Sequence, residues 1–299
     1  MRHKPIETFY WVATIGNFHS AAERLNTTQP AISARIRALE QELGVELFDR
    51  TARSAKLNSA GRRFLVYAER FLALTNEIEQ NFMSRDNVSR IVRIGVSETI
   101  ANTWFMDFMA EVNRAYPRMN VEMISDISFN LRNQVLHNEV DLAFMLGPID
   151  APGAENHVLS RCDFVWVASP GLRLPKGTLK GSDIAGHTVI TFPRRTPIFE
   201  TIDTALKAAN VANAKIHCST SIRTILHMAL QGWGIAALPL QIVQAHLAKR
   251  ELRTIDVDIR FEGLTYTASY LKSPSAALYG ALSAIARDAA KRGAASGLR

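Results

Sequence analysis

The sequence predicts a multidomain α + α/β chain: a helical N-terminal part, then a larger part in which strands and helices alternate. Three observations carry this. Apolar residues recur at helical spacing from Ile6 to about Arg85, whereas from Ile91 onward short β-rich runs alternate with helical ones. Segment 84–90 between them is polar and rich in turn formers, so it reads as a connector. A chain of 299 residues, 47% hydrophobic and 21% charged, has enough mass for two or three cores, which excludes disorder as its main state.

Within the first part, Ile6, Phe9, Tyr10 and Ala13 share one face of a short helix that stops at Gly16. Asn17 suits the N-cap of a second helix, whose Ala21 and Ala22 allow another helix to approach closely; it ends near Asn26. Thr27 and Thr28 open a third helix, with Thr28 as its cap and Pro30 in the first turn, where a missing N–H costs nothing. At about 100° per residue, Ile32, Ile36, Leu39 and Leu43 form the inward stripe. The opposite side holds Pro30, Ser33, Ala34 and Arg37, with Gln29 at the N-terminal end and Arg35 on the flank. Small residues permit close approach, and Gln and Arg can bond base edges bidentately, so this face suits a DNA major groove.

Gly44 ends the third helix. Segments 45–48 and 55–57 then read as two short strands flanking a loop that carries Arg50 and Arg53. A hairpin with a basic tip beside a helix-turn-helix is a winged arrangement, able to reach phosphates or the neighbouring minor groove.

These residues carry a resemblance. Phe18-His19-Ser20-Ala21-Ala22-Glu23-Arg24-Leu25, Thr28-Gln29-Pro30-Ala31-Ile32-Ser33, Ile36-Arg37-Ala38-Leu39-Glu40 and Leu43-Gly44-Val45-Glu46-Leu47-Phe48-Asp49-Arg50 resemble the N-terminal signature of LysR-type transcriptional regulators. The likeness is nearly continuous from Phe9 to Gly61, with Asn58 where the family more often has Thr. It implies Thr28, Gln29, Pro30, Ser33, Ala34, Arg35, Arg37, Arg50 and Arg53 as the DNA-contacting set. It further implies double-stranded DNA, a small-molecule effector and RNA polymerase as partners, with no cofactor, metal or membrane, and a tetramer built from two homodimers.

From about Ser59 to Phe82 no proline intervenes, and Phe64, Tyr67, Phe71, Leu74, Ile78 and Phe82 are spaced close to a heptad seam. That seam asks for a partner helix, and the resemblance supplies one from a second subunit. A helix packed only on its own domain is the competing reading. Pairing also answers an energetic need, since one small module covers only roughly 600–1,000 Å² of DNA, while a dimer reads two half-sites. The expected division is a winged helix-turn-helix over 1–62, a linker and dimerisation helix over 63–90, and an effector-binding domain over 91–299.

In that last part, residues 91–96 alternate like a strand and run into Ser97-Glu98-Thr99, which opens a helix carrying Trp104, Phe108, Val112 and Tyr116 until Pro117. Segments 121–124 and 141–145 continue the alternation, as do 164–168, 188–192, 214–218, 234–237 and 264–271. A final helix covers about 275–291, and parallel sheets covered by helices are expected. By resemblance this is a two-lobed, periplasmic-binding-protein-like domain, lobe 1 at about 91–161 and 266–299, lobe 2 at about 162–265. Ligands in such sheets bind beyond the C-terminal strand ends, near helix N-termini. Ser97 and Thr99 follow such a strand end directly, the resemblance adds Ser128, and Phe192, Pro193, Arg194 and Thr220 complete the expected effector wall; hydroxyls, helix N-termini and the arginines Arg194 and Arg195 together favour a small organic anion. Ser97, Ser128 and Thr220 could equally be helix caps, and Arg194 and Arg195 solvated loop charges.

Other chemistry finds little support. Gly232-Trp233-Gly234 and Ala237 spell GxGxxA, but after a helix and before a strand, the reverse of a dinucleotide-binding turn. Ser97 lacks the second Gly of a nucleophile elbow, and the eight histidines show no metal spacing. Cys162 and Cys218 are too few for a disulfide framework and lack CxxC spacing, so they read as buried cytosolic thiols. Glu7 interrupts the basic start before any signal-peptide core forms, and the most apolar stretch, 234–243, contains Pro239 and Gln241, so a cytoplasmic protein is expected.

Lys plus Arg number 35 against 28 Asp plus Glu, a net +7. Residues 1–90 hold 13 against 10 and the remainder 22 against 18, so the excess does not mark the helical part. What points to DNA is the placement of arginines on one helix face and a wing. The expected function is a ligand-responsive, sequence-specific transcriptional regulator that is not an enzyme; the alternatives are a constitutive DNA-binding protein and an α/β enzyme.

Overall fold

The computed structural model describes residues 3–49, 54–82, 90–161, 163–211, 214–261 and 264–296. Three helices, α1 (His3–Ile15), α2 (Phe18–Arg24) and α3 (Gln29–Leu43), surround a core of Ile6, Phe9, Val12, Ala21, Ile32, Ile36 and Leu39. Asn17 caps α2 as its sequence position predicts, its side chain accepting from His19 N at 2.7 Å and Ser20 N at 3.2 Å. Thr28 does not cap α3 through its side chain; it is extended, and Pro in the first turn removes one of the donors such a cap would meet. Gly44 closes α3 at φ 68°, a left-handed conformation that favours glycine.

The wing is slighter than predicted. Among the described residues its pairing is one antiparallel bridge, Phe48 with Leu57, supported by Asp49 N to Lys56 O at 2.8 Å and Asn58 N to Leu47 O at 3.1 Å. Glu40 explains part of this: its carboxylate takes the Leu47 N–H at 2.7 Å, a donor that a longer ladder would need. Arg50 and Arg53 lie outside the described residues.

The linker is one helix, α4 (Ser59–Phe82). Its seam divides. Phe64 leaves it and packs edge-on against Phe9, ring centres 4.9 Å apart, whereas Tyr67, Phe71, Leu74 and Ile78 remain exposed; the Phe82 side chain lies outside the described residues. The opposite face, Ala68 and Leu72, is buried on the helical module.

Two five-stranded sheets follow. The first, in order β2-β1-β3-β10-β4, comprises β1 (Arg90–Ser97), β2 (Met119–Asp126), β3 (Leu142–Gly147), β4 (Ala154–Arg161) and β10 (Thr265–Leu271). The second, in order β7-β6-β8-β5-β9, comprises β5 (Phe164–Ala168), β6 (Val189–Thr191), β7 (Ile216–Cys218), β8 (Ile235–Pro239) and β9 (Arg253–Thr254). The chain thus leaves the first sheet after Arg161 and returns to it at Thr265, the double crossing that the resemblance implies. Each sheet is mixed, however: β10 runs antiparallel to β3 and β4, and β5 antiparallel to β8 and β9. The strands that cross between lobes enter against the local direction, which an all-parallel βαβ reading could not anticipate.

The helices α5 (Glu98–Ala101), α6 (Phe105–Ala115), α7 (Ser128–Leu136), α8 (Gly181–Ala185), α9 (Pro197–Ala208), α10 (Ile222–Leu230), α11 (Leu240–Ala248) and α12 (Ala276–Ser296) cover the sheets. The single helix expected after Ser97 is two. Asn102 Nδ2 donates to Glu98 O at 2.7 Å and Thr103 Oγ1 to Thr99 O at 2.9 Å, so side chains compete for the carbonyls at the break. Gly234, in the dismissed GxGxxA run, is a packing position: a Cβ there would strike the Thr188 carbonyl. No helix among the described residues is long and apolar enough to cross a membrane.

The helical module and the first sheet meet at Asp141, whose side chain is 4% exposed. It is ion-paired with Arg24 of α2, accepts from Tyr279 OH at 2.9 Å and takes the Arg93 N–H at 2.7 Å. Arg24 also lies 4.2 Å over the Trp11 ring, and Arg93 donates back to Arg24 O at 3.3 Å.

Candidate functional site

Two surfaces carry the sequence-predicted residues. The first is the outer face of α3. Thr28, Gln29, Pro30, Ala34 and Arg37 are exposed, and Ser33 and Arg35 half-buried, because Ile32, Ile36 and Leu39 turn fully inward. A groove of about 490 Å³ runs beside them, lined by Asn17, His19, Gln29, Ser33, Arg37 and Ser54, among others. Arg37 Nε donates to Ser33 O at 3.3 Å, and the exposed guanidinium is of the type that bonds a planar acceptor pair bidentately. Glu40, an acid in the groove lining, is committed to the wing backbone, accepting from Leu47 N and Phe48 N.

The second surface is the cleft between the two sheets. Its cavity measures about 60 Å³ and is lined by Ser97, Thr99, Ser128, Phe192 and Thr220 from the predicted set. Pro193 and Arg194 are not in the lining; Arg194 is exposed and packs over the Phe199 ring at 5.1 Å. The capping alternatives fail. Ser97 occupies the N-cap position of α5 with no side-chain cap bond, Ser128 Oγ accepts from Leu146 N at 3.0 Å instead, and Ser221, not Thr220, caps α10.

The remaining lining was not foreseen: Glu98, Asp126, Phe129, Phe164, Thr196 and Tyr266 are the chief additions. Asp126 had a signal, since β2 extended by two residues pairs Asp126 with Ser97 at the strand ends. Phe164 and Tyr266 sit where the chain crosses between lobes, which no local pattern marks. Ser97 is 6% exposed, and its Oγ is buried without a hydrogen-bond partner. Asp126 Oδ1 accepts from Ile127 N at 2.7 Å and Asn130 Nδ2 at 2.9 Å.

Three contacts close the cleft. Glu98 reaches from the first lobe to α10, accepting from Ser221 Oγ at 3.1 Å and from the Ile222 N–H. Arg223 Nε donates to Asn102 Oδ1 at 2.9 Å, and Arg195 stands 5.8 Å over the Phe129 ring at the mouth. Cys218 is exposed rather than buried; partial burial pushes its thiol up, with Arg194 pulling the other way. Cys162 lies outside the described residues. Among the described residues no cluster of His, Cys, Asp and Glu could hold a metal.

Comparison with known proteins agrees with this geometry. The profile described as "Bacterial regulatory helix-turn-helix protein, lysR family" matches residues 3–62, and "LysR substrate binding domain" matches 85–290. The HTH-type transcriptional regulator YofA of Bacillus subtilis (strain 168) is 28% identical over 243 residues, 81% of this chain and 83% of its own. Among solved structures, full-length LysG of Corynebacterium glutamicum "with bound effector Arg" aligns at TM-score 0.64 and 21% identity, covering 98% of this chain and 99% of that one. An OxyR mutant of the same species aligns at TM-score 0.59 and 21% identity, covering 99% and 95%. These two likenesses are of fold. With profiles matching both the reading module and most of the two-lobed part, the chain belongs to the LysR family, as a DNA-binding transcriptional regulator and not an enzyme.

Proposed function

We propose that the protein is a ligand-responsive, sequence-specific regulator in which residues 1–62 read DNA, 63–90 pair two subunits, and 91–299 bind a small-molecule effector between lobes at about 91–161 with 266–299 and 162–265. Gln29, Ser33 and Arg37 read bases, while Thr28, Arg35, Arg50 and Arg53 serve the phosphates and groove edges, with Pro30 and Ala34 allowing close approach. The observation that carries the effector half is the buried, unpartnered Ser97 hydroxyl lining a closed cleft. An orphaned buried polar group is costly unless something completes it.

Pairing through Tyr67, Phe71, Leu74 and Ile78 would bury an otherwise exposed apolar stripe. Two such dimers would form a tetramer, with RNA polymerase as the partner at the promoter. Effector binding would shift the interlobe contacts of Glu98 and Arg223, and through them the placement of subunits and the half-sites engaged. The lining disfavours the organic anion expected from the sequence, since Arg194 stands outside it and two carboxylates, Glu98 and Asp126, stand within it.

The test is selection and sequencing of DNA fragments bound by the purified protein, followed by footprinting with and without compounds from a metabolite library that raise its melting temperature. A paired half-site motif whose footprint changes with a bound compound is the expected result. Binding without base preference would overturn the DNA reading, and a bound compound that leaves the footprint unchanged would overturn the effector reading.

A further inference from the structure

Resting on the proposal that the cleft binds an effector, we infer that its ligand is a small amine with an apolar body, its ammonium held by Asp126 and Ser97. On the second-lobe side of the cleft, the helix N-termini where an anion would dock are largely filled from within the protein. At α10, Glu98 takes the Ile222 N–H, while Ser221 Oγ takes the Thr224 N–H and Ser221 O the Ile225 N–H. At α9, Pro197 has no N–H, Thr196 Oγ1 takes that of Phe199, and Thr196 O that of Glu200. The protein's own carboxylate therefore occupies one helix end, which keeps only the Arg223 N–H in its first turn, and the other keeps only the Ile198 N–H. No Lys or Arg lines the cavity.

The opposite demand is unmet. Asp126 uses Oδ1 for Ile127 N and Asn130 Nδ2, leaving Oδ2 with no hydrogen bond from a described residue. In the β1–β2 register Ser97 lies directly beside it, its buried Oγ unpartnered. An ammonium carries three donors and can satisfy both oxygens at once, whereas a carboxylate would bring like charge against Asp126 and Glu98. Phe129, Phe164, Phe192, Leu146, Ile198 and Tyr266 supply apolar walls for the rest of the ligand. The cavity of about 60 Å³ is smaller than the ~150 Å³ that admits a benzene ring, so a ring-sized guest must part the lobes, loading the Glu98 and Arg223 contacts.

Benzylamine, benzyl alcohol and benzoate, matched in size and differing in charge, test this by calorimetric titration and thermal shift on the full-length protein. Benzylamine should bind most tightly and benzoate least. Asp126→Asn, which keeps shape and the Ile127 bond, should lower benzylamine affinity roughly tenfold to a hundredfold and erase the preference over benzyl alcohol, with circular dichroism reporting an intact fold. Ser97→Ala should weaken benzylamine and benzyl alcohol alike. Tightest binding by benzoate, an amine preference that survives Asp126→Asn, or no binding by any of the three would overturn the inference. Amine binding that follows these expectations but leaves operator affinity unchanged would sink the effector reading and spare the assignment of ligand class.

Discussion

The two functional surfaces are built in opposite ways. The proposed DNA-reading face lies within ten consecutive residues, Thr28 to Arg37, on the outside of one helix whose Ile32, Ile36 and Leu39 are buried. The cleft draws Ser97, Asp126, Ser128, Phe164, Phe192, Thr220 and Tyr266 from six separated segments and encloses them among aromatic rings. The difference teaches where the chemistry of each surface comes from. A convex face needs only the periodicity of one helix, and its charge is set by residues that water already solvates. An enclosed cleft has its charge set by whichever partners the fold supplies, so Arg194 stays outside while Asp126, two residues beyond the expected strand, comes in.

If the two surfaces were independent bodies, cutting what joins them would cost little. Asp141→Ala should instead lower unfolding stability by about 3–5 kcal/mol, because Arg24, Tyr279 OH and the Arg93 N–H would lose a buried common partner. A urea midpoint unchanged from wild type would show that the joint is dispensable.

Alkaline unfolding should separate the regions next. Burial pushes the Tyr10 phenol up to about 12 from 10.0, against a partly offsetting bond from Thr14. Its stabilising contribution is therefore fully present below pH 10 and is lost as pH rises toward 12, where the unfolded chain releases a proton that the folded one keeps. The loss amounts to about 2–3 kcal/mol. Tyr10→Phe should flatten that slope in stability against pH, and tyrosinate absorbance followed alongside should show Tyr10 ionising late.

On the reading face, Arg37→Ala should leave stability within about 0.5 kcal/mol of wild type yet cost roughly 1–3 kcal/mol on the operator, relaxing preference at one base position. Arg53→Ala should weaken all sequences alike and reduce the salt slope by about one. Equal losses on operator and random DNA for Arg37→Ala would place that side chain on phosphate and narrow the base-reading set to Gln29 and Ser33.

The smallest effect is expected at the cleft itself. Glu98→Gln keeps an acceptor for Ser221 and Ile222 but removes the charge at the α10 N-terminus, worth about 1 kcal/mol. Faster hydrogen exchange at the Ile222 amide would register the loosened link between lobes. Unchanged exchange would mean that other contacts hold the lobes together.

Much of the fold was legible in the sequence where structure is local. The inward stripe of α3, the Asn17 cap, the Gly44 stop and the extent of α4 each follow from residues within a few positions of one another. The failures share a cause. Phe64 belongs to the seam by spacing but to Phe9 in the folded module, and the wing strands shrink to one bridge because Glu40, far along α3, takes a donor. The strands β4 and β9 were missed because pairing with distant partners, rather than alternation, defines them.

The sequence by itself determined the family, the helical reading face and the strand-end hydroxyls. Each depends on short-range periodicity or motif spacing, which survives in any compact arrangement. Tertiary structure alone decided the sign of charge in the cleft, the Glu98 link across it and the Arg24–Asp141 joint. The reason is that burial and partner choice join residues more than 100 positions apart, and in a low-dielectric interior those partners, not residue type, decide what a side chain can bind.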